Sequence, residues 1–139
     1  MDYLKKARDY FKNDVFASAT TGIEIDAAEP GYARVSLEIG PRHLNALGIV
    51  MGGVIFTMAD YAFAIASNVG DETVVTINSQ ISYLGTAKGK RLVAEAVPLK
   101  DGRSTCVYEI TVSDDTGVKA AVVQVTGFKK AVTGDGPAE

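Results

Sequence analysis

The longest apolar stretch of the chain covers residues 44–70 and contains one charged side chain, Asp60. After its Gly-Gly pair it has no proline and no glycine until Gly70, and alanine is frequent. This pattern predicts a helix from Gly52 to about Asn68 that is apolar nearly all round, which is typical of a helix in the centre of a fold. Asn68 and Gly70 mark the end of the helix.

Most of the remaining chain alternates apolar and polar residues with a period of two, which is the pattern of half-buried strands. The predicted strands cover residues 22–29, 32–39, 73–84, 91–100, 104–113 and 118–130. In the second strand Ala33, Val35, Leu37 and Ile39 alternate with Arg34, Ser36 and Glu38. In the third, Val75, Ile77, Ile81 and Tyr83 share one face, and Thr76, Asn78, Gln80 and Ser82 share the other.

Tight turns join these strands. Pro30-Gly31 separates the first two strands, Asp101-Gly102 separates the fourth from the fifth, and the sequence SDDTG precedes the last one. Strands joined in this way are antiparallel neighbours. We therefore expect one antiparallel sheet made largely of hairpins.

A short amphipathic helix is predicted at about residues 2–13, where the apolar residues fall on one helical stripe. The element order is then α-β-β-α-β-β-β-β. A long apolar helix and an antiparallel sheet each need the other to bury an apolar face. We predict a single α+β domain over residues 1–139, with a curved sheet wrapped around the helix at about Gly52–Asn68 and a disordered tail at 131–139.

Composition and charge exclude several classes of protein. The net charge is -3, and no basic stripe indicates a nucleic-acid partner. The single cysteine, Cys106, excludes an intrachain disulfide and is expected to be a buried free thiol. The charged N-terminus does not resemble a signal peptide, and Asp60 argues against a membrane span within residues 44–70. We expect a soluble cytoplasmic protein.

Asp60 is the first candidate for chemistry. A carboxylate among apolar residues is costly unless something uses or satisfies it. Apolar surroundings raise the pKa of a carboxyl group and strip it of water, and both effects suit a general base. The alternative is a helical aspartate on the one solvated stripe of a buried helix.

Gly52 and Gly53 are the second candidate, because they open the predicted helix. The first amides of a helix have no partner within it and carry the positive end of the helix dipole. Such an amide can stabilise the oxygen of a thioester or ester as that oxygen gains negative charge. The alternative is that the glycines allow close packing of the helix start against the sheet.

The spacing of these candidates constrains how they act together. Eight residues separate Gly52 from Asp60, which is ~12 Å along a helix. A carbonyl carbon that lies ~3–3.5 Å from its attacking group cannot also place its oxygen on an amide that far away. A two-fold dimer solves the problem by bringing Asp60 of one subunit to Gly52 of the other. If both groups act, the site is expected at a dimer interface.

The segment NALGIVMGGVIFTMADYAFA, residues 45–64, resembles the signature of hotdog-fold acyl-CoA thioesterases of the PaaI-like (phenylacetic acid degradation) type. The likeness continues through ISYLGTAKG and the DGR hairpin and covers about residues 20–130. It implies a hotdog fold and hydrolysis of an aryl or medium-chain acyl-CoA. Coenzyme A is then part of the substrate, and no metal or separate cofactor is expected. The resemblance also implies a homodimer or a homotetramer.

The resemblance assigns roles to individual residues. Asp60 is implied as the catalytic base or nucleophile, and Gly52 as the oxyanion donor from the other subunit. Asn45 is implied to position the acyl group or the water, although it could simply cap its own loop. Thr76 is implied to orient the water, although it could be an ordinary strand threonine. The implied substrate-binding residues are Gly53, Met51, Tyr61, Lys88, Lys90, Arg91 and Arg103. The basic ones among them, with Lys100, cluster around two turns and are implied to contact the phosphates of coenzyme A, although they could simply be solvated.

Met51 departs from the family pattern, which has histidine before the two glycines. Methionine cannot donate a hydrogen bond to a thioester oxygen, whereas the backbone amide and Asp60 are unaffected. The only histidine, His43, could contact the site loop but is expected to be a solvated loop residue. Two alternatives to thioester hydrolysis stay open: hydration or dehydration of an acyl thioester, which generally relies on a site histidine, and acyl-CoA binding without catalysis.

Overall fold

The computed structural model describes residues 1–133 and 136–137. It contains two α-helices, α1 (Tyr3–Phe11) and α2 (Gly52–Asn68), as predicted. The principal strands are β1 (Glu24–Glu29), β2 (Tyr32–Glu38), β3 (Thr73–Tyr83), β4 (Arg91–Asp101), β5 (Thr105–Asp114) and β6 (Lys119–Lys130). Residues Val132–Thr133 (β7) and Gly136–Pro137 (β8) form a short antiparallel pair, and the rest of the predicted tail, 134–135 and 138–139, lies outside the described residues.

The six principal strands form one antiparallel sheet in the order β1-β2-β4-β5-β6-β3. The hairpins lie side by side as predicted, while β3 follows α2 and joins the sheet at the far edge. The turn glycines explain two of the hairpins: Gly31 and Gly117 have φ values of 87° and 92°, which L residues rarely adopt. The Gly31 amide also donates to the carbonyl of Ala66 over 2.9 Å and so fixes the β1–β2 turn to α2.

Helix α2 lies across one face of the sheet and contacts all six strands. Most of its side chains are buried, among them Met58, Phe63 and Ile65, as the nearly uniform apolar pattern predicted. Phe63 packs over Gly127, where a Cβ atom would come within 2.9 Å of its ring. The helix and the concave face of the sheet therefore form one core.

Three details differ from the sequence predictions. The side chain of Ser36 is buried on β2, where it accepts a 2.6 Å hydrogen bond from Arg91. A bulge follows Thr76 in β3, so the predicted apolar face of that strand does not turn uniformly inward. Val75 and Ile77, which were predicted on the apolar face, are exposed on this edge strand.

A π-helical turn, Phe16–Thr20, connects α1 to β1 and was not predicted. Two hydrogen bonds from Thr21 to the Phe16 carbonyl close this turn. The Thr21 amide donates one over 2.9 Å and the Thr21 hydroxyl donates the other over 2.7 Å. The turn leaves Phe16 exposed beside α2. Within the described residues, no helix is long and apolar enough to cross a membrane.

Candidate active site

Gly52 is the first residue of α2. Met51, which precedes it, is extended (φ -65°, ψ 136°) and makes no side-chain cap. Among the described residues, the Gly52 and Gly53 amides have no hydrogen-bond acceptor, whereas the Val54 amide donates to the Met51 carbonyl over 3.0 Å. Two backbone donors therefore remain available at the positive end of the helix dipole.

A cavity of about 420 Å³ opens beside this helix start. Its walls come from the loop before α2 and from the segment after β3, including Ile49, Leu84 and Ala87. The hydroxyl of Tyr83 donates a 2.9 Å hydrogen bond to the Gly52 carbonyl. A Cβ atom at position 52 would lie 2.9 Å from that hydroxyl oxygen, so a larger residue requires the half-exposed Tyr83 side chain to move.

Asn45 lines the same cavity and also caps its own loop. Its side-chain oxygen accepts hydrogen bonds from the backbone amides of Leu47 (2.9 Å) and Ile49 (3.3 Å), and its backbone amide donates to the Ile49 carbonyl (2.8 Å). The alternative role of Asn45, as the residue that caps its own loop, is therefore confirmed. The role in positioning a substrate stays a prediction, and the wall position is compatible with it.

Asp60 is an exposed residue on the outer side of α2, as the alternative of a solvated helical aspartate expected, and it lines a second cavity, of about 370 Å³. Val15, Phe16 and Phe56 form apolar walls around it. Desolvation by these surroundings raises the pKa of the Asp60 carboxyl, and repulsion from Asp14 raises it further. A carboxylate with raised proton affinity in an open apolar cavity has the properties of a general base.

The two candidate groups lie in different cavities of the chain. Gly52 and Asp60 occupy one straight helix, and their eight-residue separation corresponds to ~12 Å along its axis. One chain alone therefore does not bring the amide and the carboxylate to the same reacting carbonyl. The dimeric arrangement expected from the sequence stays a prediction.

Thr76 is exposed on β3, opposite Gly127 of β6 and directly before the bulge. It lines neither the Gly52 cavity nor the Asp60 cavity. Because β3 is an edge strand, its outer side has no neighbouring strand within the described chain. A role for Thr76 near Asp60 thus also depends on a second subunit at this edge.

Comparisons with known proteins bear on this arrangement of helix and sheet. The family model described as the thioesterase superfamily matches residues 47–121, which include Gly52 and Asp60. This chain belongs to the thioesterase superfamily. The match confirms the family that the sequence around the Gly-Gly pair indicated.

Individual relatives agree with the family assignment. A putative esterase of Archaeoglobus fulgidus is 33% identical over 128 residues, covering 91% of this chain and 82% of that protein. The acyl-coenzyme A thioesterase PaaI of Escherichia coli is 32% identical over 109 residues, covering 78% and 77%.

Two solved structures are also similar to this thioesterase. The E. coli PaaI protein superposes with a TM-score of 0.86 at 26% identity and covers 94% of both chains. A Streptococcus mutans protein bound to acetyl CoA has a TM-score of 0.74 at 28% identity and covers 85% of this chain and 92% of that one. The helix-in-sheet architecture is therefore the hotdog fold that the sequence predicted.

Met51, the departure from the family pattern, is about half exposed in this thioesterase. Its amide donates to the His43 carbonyl over 2.9 Å, which holds the loop directly before Gly52. The expectation that His43 is solvated was wrong, because its side chain is only 3% exposed. Its Nδ1 accepts from the Gly40 amide (2.9 Å), so Nε2 carries the hydrogen and donates to the Thr21 carbonyl (2.7 Å).

Tyr61 belongs mainly to the core. Its hydroxyl donates to the Phe11 carbonyl over 2.8 Å, and its ring packs edge-on against the Phe11 ring. Burial raises the pKa of Tyr61 to about 12, with a smaller contribution from Asp14. Tyr61 also lines the Asp60 cavity, but its hydroxyl is already used to attach α1. The free thiol Cys106 is buried in β5 as expected.

The basic residues predicted to bind coenzyme A fall into two groups. Lys88, Lys90 and Arg91 lie at the start of β4, and Lys100 and Arg103 lie at its other end. The ten residue steps of β4 correspond to ~33 Å, so the two groups do not reach one phosphate together. Lys88 follows directly after Ala87 of the Gly52 cavity wall, which favours the first group.

Asp114 organises this basic loop and was missed in the sequence. The carboxylate is buried and accepts five hydrogen bonds: from the amides of Lys88, Gly89, Thr116 and Val118 and from the Thr116 hydroxyl, at 2.7–2.9 Å. Burial opposes its charge, but these bonds outweigh burial and hold the pKa of Asp114 well below its usual range. The Asp-Asp pair in the turn SDDTG was the only signal available.

Proposed function

We propose that this thioesterase hydrolyses an acyl-CoA thioester to a free acid and coenzyme A. Asp60 is the base, and the Gly52 amide of a second subunit is the oxyanion donor. The observation that carries the proposal is the pairing, on the same helix, of the unused Gly52 and Gly53 amides with an Asp60 carboxyl that lines a cavity with apolar walls. Names of relatives, such as the acyl-coenzyme A thioesterase of E. coli, support the same chemistry.

In the proposed reaction, water attacks the thioester carbon while Asp60 takes one of its protons. The carbonyl oxygen becomes an oxyanion, which the Gly52 amide stabilises by a hydrogen bond reinforced by the helix dipole. The C–S bond then breaks as the carbonyl re-forms. The leaving thiolate takes up the proton, and Asp60 returns to its ionised form.

The proposed dimer uses the open edge of β3. Exposed apolar side chains lie on and beside this edge, including Val75, Ile77 and Leu84. In a dimer with its two-fold axis at this edge, the α2 helices of the two subunits lie antiparallel. Each Asp60 then approaches the other subunit's Gly52. Two such dimers would form the homotetramer that the resemblance implies.

The two cavities and the basic loop support the proposed substrate class. The apolar walls around Asp60 suit an aryl or medium-chain acyl group. Lys88 and Lys90, beside the Gly52 cavity, are the candidate contacts for the phosphates of coenzyme A, since charge-assisted bonds to phosphate are strong. The similar protein of S. mutans was solved bound to acetyl CoA, which supports this type of ligand.

The test is release of free thiol from a panel of acyl-CoAs, measured spectrophotometrically. We expect Asp60→Asn to lower kcat by about 10³-fold, with circular dichroism unchanged. Asp71→Asn is the matched control, because Asp71 is an exposed carboxylate that does not line the Asp60 cavity. Undiminished hydrolysis in Asp60→Asn would contradict the proposal. Hydration of an enoyl-CoA without thiol release, or binding without any turnover, would favour the alternatives.

A further inference from the structure

The Asp60 cavity combines apolar walls with a second acidic group. Val15 and Phe16 are 59% and 67% exposed, and with Phe56 they form a surface suited to an apolar chain or ring. Asp14 lines the same cavity, directly before these two residues in the chain. The pocket therefore contains two carboxylates, of which the proposed mechanism uses one.

The backbone holds Asp14 firmly in this place. Its amide donates to the Phe11 carbonyl over 3.0 Å, at the end of α1. Its carbonyl accepts from the Ser18 amide (2.9 Å) and the Ser18 hydroxyl (3.0 Å), within the π-helical turn. The side chain of Asp14, in contrast, forms no hydrogen bond or ion pair with any other residue that the structure describes. Asp14 is exposed, and within the described chain no residue neutralises its charge; it lines the Asp60 cavity and also a neighbouring cavity that Lys6 lines.

The charge of Asp14 affects the pKa values of two neighbouring residues. Repulsion from Asp14 raises the pKa of Asp60 and also that of Tyr61, in both cases after desolvation. Over the described part of the chain, the cavity has no lysine, arginine or histidine in its walls. Lys12 and Lys6 line two other cavities, which Lys12 shares with Tyr61 and Lys6 shares with Asp14.

The cations of α1 are also engaged elsewhere. Arg8 donates to the Ile25 carbonyl through two nitrogen atoms, at 3.0 and 2.8 Å. Lys6 donates to the Gly70 carbonyl over 3.1 Å. A negative group that enters the Asp60 cavity therefore encounters two carboxylates and no cation in the cavity walls.

We infer that Asp14 is a specificity-determining residue that selects neutral acyl groups and rejects acyl groups ending in a carboxylate. This inference rests on the proposed function, because it requires the acyl group to occupy the Asp60 cavity. Asp14 need not touch the reacting atoms. It acts on the far end of the acyl chain by like-charge repulsion, which supplies discrimination that apolar walls alone provide only weakly.

The experiment compares hexanoyl-CoA with glutaryl-CoA, whose acyl chains are of similar length but differ in a terminal carboxylate. The readout is the ratio of kcat/KM for glutaryl-CoA to kcat/KM for hexanoyl-CoA. Any effect of the substitution on Asp60 itself acts on both substrates and cancels in this ratio. We expect Asp14→Asn to raise the ratio about tenfold, the factor that corresponds to ~1.4 kcal/mol of relieved repulsion. Asp14→Lys is expected to raise it further.

Asp71→Asn is the matched control, since it removes an equal charge from an exposed site outside this cavity. Its ratio is expected to equal that of the wild type. An unchanged ratio in Asp14→Lys, with hexanoyl-CoA still cleaved, overturns the inference and leaves the proposed function intact. An equal rise in Asp71→Asn also overturns it, because the effect would then be one of net charge. Failure of the wild type to cleave any thioester overturns the proposed function and this inference with it.

Discussion

The Tyr83 hydroxyl donates a 2.9 Å hydrogen bond to the Gly52 carbonyl and so ties the end of the edge strand β3 to the first turn of α2. The same contact explains the glycine. A Cβ atom at position 52 would lie 2.9 Å from the Tyr83 oxygen and 3.0 Å from its Cζ, whereas a Cβ atom at Gly53 meets nothing within 4 Å. The two neighbouring glycines are therefore not equivalent.

This difference gives a stability prediction for a matched pair of variants. We expect Gly53→Ala to raise the free energy of unfolding by about 0.5–1 kcal/mol, since alanine restricts the unfolded chain and favours the helix. Gly52→Ala is expected to fall short of that gain by about 0.5–1.5 kcal/mol, because the exposed Tyr83 ring must shift and its hydrogen bond to the Gly52 carbonyl weakens. Urea denaturation of both proteins measures the two changes. Equal effects at the two positions would contradict the assigned contact.

Asp60 is expected to reduce stability at neutral pH. Its pKa is raised in the folded chain, so the folded state holds the proton more tightly than the unfolded state does. Stability therefore falls as the pH rises from the ordinary aspartate pKa through the raised one. Asn at this position carries no charge to desolvate, so Asp60→Asn is expected to have a higher Tm than the wild type at pH 7.

Thermal melts of the wild type and Asp60→Asn across pH 3–8 test this sign. The Tm difference should be largest at neutral pH and should shrink toward acid pH, where Asp60 is protonated in both states. A Tm advantage that stayed constant over this range would point to packing instead of charge. A variant less stable than the wild type at pH 7 would contradict the desolvation account.

Asp114 is expected to show the opposite pH dependence. Five hydrogen bonds hold its pKa well below the usual range, so its stabilising effect is complete above the ordinary aspartate pKa. Asp114→Asn is predicted to lower the Tm at pH 7, because one amide nitrogen replaces an acceptor oxygen. The deficit should narrow as the pH falls below about 4, where the unfolded carboxyl gains its proton. A Tm deficit of Asp114→Asn that did not change with pH would contradict a stabilising role for the Asp114 charge.

Met51→His tests whether the departure from the family pattern impairs the site. The Met51 side chain is about half exposed, so histidine fits without disturbing the core. Because the proposed oxyanion donor is a backbone amide, we expect kcat to change by less than about tenfold. Thiol-release kinetics on a single acyl-CoA measure it. A gain of 100-fold or more would show that an imidazole is the missing group and that the amide alone is insufficient.

Much of the fold could be predicted because the signals were local. The uniform apolar run gave α2, and the Gly31 and Gly117 turns gave two hairpins, since few residues adopt their positive φ values. The bulge after Thr76 was not foreseeable, because nothing in the local alternation marks an extra residue. The π-helical turn Phe16–Thr20 lacked a propensity signal for the same reason.

The site was only partly predictable. Asp60 stood out as the one charged residue of an apolar segment, and Gly52 stood out as part of a Gly-Gly pair in the same segment. His43 and Asp114 did not, because each is buried through partners distant in sequence: Thr21 for His43 and the Lys88–Gly89 amides for Asp114. Pairings of this kind depend on the tertiary fold, which composition and spacing do not specify.

The central claim is that Asp60 of one subunit acts with the Gly52 amide of the other. Gly52→Pro removes that amide hydrogen at a first helical position where proline is tolerated, and the extended Met51 suits a following proline. Gly52→Ala, which keeps the amide, controls for crowding against Tyr83. Asp60→Asn and Gly52→Pro should each be nearly inactive alone.

The most direct measurement is the thiol-release activity of an equimolar mixture of Asp60→Asn and Gly52→Pro, refolded together from denaturant. In a shared site, each mixed dimer combines the intact Asp60 of one chain with the intact Gly52 of the other. We predict recovery of about a quarter of wild-type activity, since half of the dimers are mixed and each has one intact site. Activity no greater than the sum of the two separate variants would contradict the account.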